Sequence, residues 1–203
     1  MCVDEGGAAN RDRVFPHQTV GRGAGPVGIA EIDGGVQLGV GKQKRPGLHI
    51  DVHTARHDVR VVIHNHSEWG SVWSAVGRVP PIYDQTSALV DTDPVIYDEY
   101  RGTVEDGAAG RAAANALGTH KWALLANHGV LLVANNIRQA HLRAITLEWR
   151  SRMAWRVEML GGGTPLPAAV ALATGQRTDS NGFPFLWEAM ARDEIRRDPR
   201  VLE

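Results

Sequence analysis

The chain has 203 residues, which suits one domain, and 43% of them are hydrophobic, enough for a sizeable core. Its 22 basic and 23 acidic residues give a formal net charge of −1, which offers no electrostatic attraction for nucleic acid or an anionic membrane. The single cysteine, Cys2, excludes an intrachain disulfide. No apolar run approaches the roughly 20 residues that a membrane-spanning helix needs. We therefore expect a cytoplasmic protein that binds neither nucleic acid nor membranes.

The first part of the chain is rich in glycine, arginine and polar residues. We expect residues 1–28 to be weakly ordered and to lack a signal peptide, because they contain no apolar core. Residues 29–203 are expected to form the folded domain. Asp33-Gly34, which separates two short apolar pieces within residues 27–40, is typical of a β-hairpin.

The next elements alternate between helix and strand. Residues 48–58 predict a short helix, and the β-branched residues 59–63 predict a buried strand. A second helix, ended by Gly77, is indicated by apolar residues at i, i+3, i+4 and i+7, namely Trp69, Val72, Trp73 and Val76. A loop with the sequence RVPPIYDQTSA follows.

The second half of the chain predicts a helix, a hairpin and two further helices. Residues 104–118 form a helix closed by Gly118, and residues 122–134 form a strand, a turn at Asn127-His128-Gly129 and a second strand. Asn136 and Gln139 form a capping-box pattern that opens a long helix, which stops at three consecutive glycines. Its expected buried stripe comprises Ile137, Ala140, Ala144, Leu147 and Ala154. A short helix over residues 185–197 closes the chain, and the alternation indicates an α/β fold with a partly antiparallel sheet.

Histidines beside apolar runs suggest a metal site. His64 and His66 follow each other at i and i+2, so they point to the same face of a strand. Zinc binds imidazole nitrogens at about 2.0–2.1 Å, and catalytic zinc sites use three protein ligands and an open position. His128, in the bend after another strand, is the candidate third ligand. The alternative is that each histidine is a satisfied core or rim residue, since His-x-His arises readily by chance in a chain with nine histidines.

A second group of histidines offers a competing site. His49, His53 and His57 are spaced i, i+4 and i+8 on the predicted helix, and paired histidines on a helix can bind zinc. On a polar-faced helix such a stripe is more typical of a solvated or interfacial surface. No glutamate adjoins His49 to complete an HExxH motif.

Two segments, VVIHNHSEWGSVWSAVGRVPPI and WALLANHGVLLVANNIRQAHLRAITLE, resemble the class II aldolase/adducin family. The resemblance extends over about residues 29–163. It implies a three-layer α/β/α fold around a mostly antiparallel sheet, and a divalent metal, usually zinc, held by His64, His66 and His128. It also implies a homotetramer with sites near subunit interfaces, where we expect Val72, Trp73 and residues 80–86.

The family's chemistry, as the resemblance implies it, is metal-dependent carbon–carbon bond cleavage, or related decarboxylation or epimerisation, of a small hydroxy-carbonyl or sugar-derived substrate. Aldolases of the family carry a Ser-Ser-Glu segment just before the helix that begins here at Leu48. This chain has GKQKRPGLH there, without serine or glutamate, and residues 1–28 do not match the family's phosphate-binding Gly-Asn-x-Ser turn. We therefore expect phosphorylated sugars to be poor substrates.

Two residues are candidates for the missing catalytic groups. Glu68, two residues after His66, is the nearest acidic replacement, although a first-turn glutamate is also favoured by the helix dipole alone. Tyr83 lies near the position of a catalytic loop tyrosine, although it could simply pack on Pro-Pro-Ile. Two functions stay open: a metal-dependent lyase, or a non-catalytic adducin-like binding or scaffold protein. The histidines favour the enzyme, because a scaffold has no need of them.

Overall fold

The computed structural model describes residues 47–99 and 107–202, which form a four-stranded sheet with helices on both faces. The strands are, in chain order, β1 (Val61–Asn65), β2 (Val95–Tyr97), β3 (Trp122–Leu125) and β4 (Gly129–Ala134). Their order across the sheet is β1-β4-β3-β2. Strand β4 pairs antiparallel with both β1 and β3, whereas β2 pairs parallel with β3. The sheet is therefore mixed and mostly antiparallel, as predicted.

Within the described residues, helices precede and follow the strands in alternation. The α-helices are α1 (Gly47–Ala55), α2 (Glu68–Val76), α3 (Gly107–Leu117), α4 (Ile137–Met159), α5 (Ala168–Asp179) and α6 (Pro184–Arg197). Two short 3₁₀ helices cover Thr86–Ala88 and Pro199–Leu202. None of the helices in residues 47–99 and 107–202 is both long and apolar enough to cross a lipid bilayer.

Alternating strand side chains build a separate core on each face of the sheet. On one face, Val62 packs with Leu48 of α1 and with residues of α3. On the other face, Leu132 packs with Trp73 of α2 and Leu147 of α4. Strands β3 and β4 are buried along their whole length, which explains why their sequences are continuous apolar runs. These layers confirm the predicted three-layer α/β/α fold.

Several predicted elements lie outside the described residues. They are the hairpin at residues 27–40, the boundary between residues 1–28 and 29–203, and the first residues of the helix predicted at 104–118. The end of that helix is confirmed, because α3 stops at Leu117 and Gly118 has a left-handed φ of 51°.

Other boundaries differ from the sequence-based expectation. Strand β1 begins at Val61 and includes His64 and Asn65, whereas residues 59–63 were predicted. Helix α1 ends at Ala55 rather than at residue 58. Strand β2 and helix α5 were not predicted. Strand β2 has only three residues, too few for a periodic pattern, and it is held by its parallel pairing with β3.

Helix α5 contains a glycine that disfavours helix formation but is required by packing. A Cβ atom on Gly175 would lie 2.4 Å from the backbone nitrogen of Asp91, so only glycine allows α5 to approach that segment. Glycine in a helix interior costs about 1 kcal/mol relative to alanine. The contact with Asp91 therefore explains why α5 contains Gly175, although glycine has a low helix propensity and makes this helix hard to predict from the sequence.

The long helix α4 begins with the predicted cap. The Asn136 side chain accepts a hydrogen bond from the Gln139 backbone N–H at 3.0 Å. The Gln139 side chain accepts in turn from the N–H of Asn135, one residue before the expected partner, at 3.0 Å. The prediction that Ile137 is buried was wrong, because it stands at the first helical position and 41% of it is exposed.

A carboxylate from α4 caps the N-terminus of α2, the helix that follows His66. Ser67 makes no side-chain cap there. Instead, Glu148 accepts hydrogen bonds from the backbone N–H groups of Trp69 and Gly70, each at 3.0 Å. An anion at this position satisfies orphan N–H groups and interacts favourably with the helix dipole. Glu148 thereby orients the segment that leaves β1.

A buried ionic network attaches α5 to α4 and β3. Asp179, which is 1% exposed, accepts hydrogen bonds from Arg143 Nε at 2.8 Å and Nη2 at 2.7 Å. Lys121 Nζ lies 2.7 Å from the same carboxylate and also contacts Asp91. Burial alone would raise the pKa of Asp179, but the hydrogen bonds from Arg143 and Lys121 outweigh it and hold that pKa below its ordinary value.

Candidate metal centre

Three histidines from separate chain segments converge at one end of the sheet. His64 lies in β1 opposite Leu131, His66 directly follows β1, and His128 occupies the turn between β3 and β4. The ring centroids are separated by 5.3 Å (His64–His66), 4.8 Å (His64–His128) and 4.9 Å (His66–His128). One nitrogen from each ring lies within 4.8 Å of the others. The structure thus brings together the three residues that the sequence singled out.

His64 is oriented and kept neutral by its surroundings. Its Nδ1–H donates to the Val130 carbonyl at 2.9 Å, which leaves Nε2 available for an ion. The pKa of His64 is lowered from 6.5 to about 4: burial is the main cause, the hydrogen bond to Val130 opposes it, and the neighbouring His128 and His66 add to the lowering. Burial, followed by the charge of His66, also lowers the pKa of His128. Both rings are therefore neutral at pH 7, the form that binds metals.

The Asn-His-Gly turn is shaped by two unusual backbone conformations. Asn127 adopts a left-handed φ of 54°, which asparagine tolerates better than most residues. Gly129 has φ of 154°, and a Cβ there would lie 2.5 Å from the Asn65 carbonyl oxygen and 2.8 Å from His66 Cδ2. Glycine at this position therefore lets the turn approach β1 and places His128 beside the other two rings.

We predict that Gly129→Ala disrupts the histidine cluster. The new methyl group must displace either the Asn65 backbone or the His66 ring, so zinc affinity should fall by at least tenfold. Gly77→Ala is the matched control, because Gly77 also has a positive φ, 68°, but nothing lies within 4 Å of its added Cβ. Calorimetric titration with zinc checks this prediction. Equal zinc affinities in the two variants would contradict it.

The structure places the two candidate catalytic residues in different surroundings. Glu68 is the first residue of α2 and is exposed, and within the described residues no carboxylate joins the group of three imidazoles. Tyr83 is partly buried against the core on the α2 and α4 face, and it lies 3.5 Å from the position of a Cβ on Gly163. Packing on Pro-Pro-Ile, the alternative given for Tyr83, stays a prediction. Catalytic roles for both residues stay predictions.

The competing histidine group is not assembled. Helix α1 ends at Ala55, so His57 is not on the helix that carries His49 and His53. His49 is 4% exposed, whereas His57 is exposed to solvent. In the part of the chain that the structure describes, the group formed by His64, His66 and His128 is the one that could hold a metal ion.

We predict that the metal-free protein loses stability on acidification because of His49. Burial, and then the nearby His53, lower the pKa of His49 from 6.5 to about 4. Between these pH values the unfolded chain binds a proton that the folded chain does not, so the free energy of unfolding falls as pH decreases from 6.5 to 4. A shift of this size corresponds to about 3 kcal/mol.

Urea unfolding at several pH values, in the presence of a chelator, measures this effect. His49→Gln should reduce the pH dependence, and the half-buried His64 should account for part of what remains. Identical pH dependence in the parent protein and His49→Gln would show that the prediction is wrong.

Comparison with known proteins agrees with this fold. Residues 29–155 match the class II aldolase and adducin N-terminal domain. The chain is 32% identical over 161 residues to a 4-hydroxy-3-prenylphenylpyruvate oxygenase/4-hydroxy-3-prenylbenzoate synthase of Streptomyces roseochromogenus subsp. oscitans, covering 77% of this chain and 58% of that protein. It is 31% identical over 179 residues to decarboxylase NovR of Streptomyces niveus, covering 83% of this chain and 66% of that protein.

Among solved structures, an L-fuculose 1-phosphate aldolase from Glaciozyma antarctica PI12 superposes with a TM-score of 0.57 at 25% identity, covering 78% of this chain and 66% of that chain. The chain thus spans 58% and 66% of the length of the two Streptomyces relatives. The family match extends over more than half of the 203 residues and includes all three clustered histidines. The chain belongs to the class II aldolase and adducin family.

Proposed function

We propose that this protein is a zinc-dependent lyase that breaks a carbon–carbon bond next to a carbonyl group in a small substrate. The observation that supports this most is the convergence of His64, His66 and His128, with His64 neutral and oriented by Val130. Three imidazole ligands suit zinc and leave a position for substrate oxygen. When bound, such an ion acts as a Lewis acid that stabilises negative charge developing on the substrate oxygen.

The donor set fits an ion of this kind. The three nitrogens lie within 4.8 Å of one another, and two nitrogens bound to one tetrahedral zinc ion are roughly 3.4 Å apart. Side-chain rotation can cover the difference. His66 is exposed, so an ion can be approached from solvent on that side.

The names of two similar proteins, a decarboxylase and an L-fuculose 1-phosphate aldolase, support the proposal of carbon–carbon bond cleavage. Decarboxylation and aldol cleavage both break a carbon–carbon bond and leave electrons on a carbon beside a carbonyl group. Such chemistry also needs a proton carrier. Glu68 is the candidate that this chain offers, with its position at the start of α2 held by the Glu148 cap. The Ser-Ser-Glu segment is missing from the sequence, so a non-phosphorylated hydroxy-carbonyl compound or 3-oxo acid is the expected substrate class.

The test combines metal analysis with a substrate panel. Protein purified without chelator should contain about one zinc ion per chain. Release of carbon dioxide from 3-oxo acids, or of aldehyde from hydroxy-carbonyl compounds and ketose phosphates, should depend on that metal, and ketose phosphates should be the poorest substrates. Full activity after metal removal, or preference for ketose phosphates, would contradict the proposal. Oxygen consumption with iron-loaded protein would instead favour an oxygenase, as one relative is named.

An adducin-like scaffold is the alternative function. It predicts a protein that keeps the fold and the metal site but turns over no substrate in the panel. Metal-dependent turnover therefore separates the two functions.

We also propose a homo-oligomer, with a tetramer as the expected state. Trp73 was expected near the subunit interface, but it is buried within the chain, where its Nε1–H donates to the Ser151 carbonyl at 2.8 Å. Val72, Val76 and Met159 are 39%, 57% and 67% exposed and offer apolar surface for association. Light scattering at micromolar concentration should give a mass well above 22.0 kDa. A stable monomer would contradict this prediction.

A further inference from the structure

A cavity lies beside the core that contains Trp73, Leu132 and Leu147, and its lining includes none of the three clustered histidines. Its volume is about 440 Å³, a size that suits a small molecule. It is lined by the Pro-Pro loop, the segment before β2, and α4 and α5, including Pro80, Pro81, Val90, Thr92, Arg150 and Leu166. Val90 belongs to the core formed with α2 and α4. Val62 belongs to the core on the other face of the sheet, and His64, two residues later in the same strand, lies on that other face.

Arg150, at the wall of this cavity, has a guanidinium group that is only partly satisfied. Its side chain is 2% exposed. Nε–H donates to the Pro80 carbonyl at 2.7 Å, and Nη2–H donates to Asp93 at 2.6 Å. Nη1 is buried and has no hydrogen-bond partner among the described residues. A buried donor without an acceptor is unfavourable, so this nitrogen marks a position where an acceptor is missing.

Thr92 presents a second unsatisfied polar atom in the same lining. Its Oγ1 is buried and has no partner within residues 47–99 and 107–202, while its carbonyl accepts from Trp122 Nε1 at 3.0 Å. Most of the remaining lining residues are apolar, and several are prolines. An apolar cavity with a few polar groups is the usual pattern of a small-molecule site, in which the polar groups orient the ligand.

The charges around the cavity favour a neutral ligand. Arg150 is paired with Asp93, and the other lining carboxylate, Asp91, is paired with Lys121. These formal charges cancel, so an anionic ligand would place an extra negative charge near two aspartates. A neutral carbonyl oxygen can accept a hydrogen bond from the guanidinium group without that repulsion.

We propose that this cavity binds a small, mostly apolar molecule whose neutral carbonyl oxygen accepts hydrogen bonds from Arg150 and Thr92. Because Nη1 lies beneath the surface, the ligand must shift the Arg150–Asp93 pair slightly, and the 68% exposed Asp93 side chain leaves room for this. The site is separate from the histidine cluster, so the inference does not rest on the proposed lyase function.

Three probes of similar shape test the proposal with the full chain. Acetophenone carries a neutral carbonyl group, benzoate carries an anionic carboxylate, and ethylbenzene carries no oxygen. Chemical-shift titration should show saturable binding of acetophenone, at least tenfold tighter than either of the other probes. Absence of saturable acetophenone binding, tighter binding of benzoate, or equal binding of ethylbenzene would each overturn the proposal.

Two variants locate the binding. Thr92→Val keeps the side-chain shape and should weaken acetophenone binding severalfold through loss of a hydroxyl group. Leu172 lines the cavity and is 46% exposed, so Leu172→Trp should fill the cavity with a larger side chain without disturbing the buried core. His66→Ala should leave acetophenone binding unchanged. Unchanged binding in Leu172→Trp, or lost binding in His66→Ala, would show that the ketone binds elsewhere.

Discussion

Substitution of His64 by alanine is expected to abolish both metal binding and metal-dependent activity. His64 supplies one of the three imidazoles and is the one whose orientation is set by a backbone carbonyl, that of Val130. Loss of a partner that merely orients a ligand costs about 10–100-fold in metal affinity, and loss of the ligand itself should cost more. Elemental analysis and zinc titration of the purified variant measure the effect.

Two further substitutions separate ligand loss from a damaged fold. His66→Ala removes an exposed ring, so it should lower metal affinity to a similar degree without vacating a buried position. His57→Ala removes an exposed histidine outside the cluster and should leave metal content unchanged. Circular dichroism verifies folding in each case. One zinc ion per chain in folded His64→Ala or His66→Ala would exclude this cluster as the metal centre.

Substitution of Asp179 by asparagine is expected to destabilise the fold by about 3–5 kcal/mol, the usual effect of breaking a buried ion pair. The change leaves Arg143, which is 4% exposed, without its charged partner and removes one acceptor of Lys121. Because the network joins α5 to α4 and β3, we expect the end of α5 to loosen first. Urea unfolding of the metal-free protein measures the loss.

A surface aspartate provides the matched control. Asp193 pairs with Arg196 and Arg197 of α6, whose side chains are 74% and 72% exposed. Asp193→Asn should therefore change the free energy of unfolding by at most about 1 kcal/mol. The double variant Arg143→Met/Asp179→Leu should recover much of the stability lost in Asp179→Asn, since apolar residues can replace a buried pair. Equal effects of Asp179→Asn and Asp193→Asn would contradict a structural role for the network.

Local patterns in the sequence were sufficient for the elements next to the metal centre. The hairpin of β3 and β4 follows from two apolar runs around a tight turn, and α4 begins at the predicted Asn136 cap. The i and i+2 spacing of His64 and His66 predicted that their rings lie close together, and the structure places the ring centroids 5.3 Å apart at the end of β1. These features depend on residues within a few positions of each other, so composition and periodicity reveal them.

Features that join distant segments could be found only in the folded chain. Glu148 caps a helix that begins about 80 positions earlier, and Gly129 is needed because Asn65 approaches it from another strand. Helix α5 contains a glycine whose role appears only where that helix packs on Asp91, and the partners of Arg150 and Asp179 come from four different segments. No short-range pattern encodes such contacts, because the geometry that brings these groups together is set by the packing of all three layers.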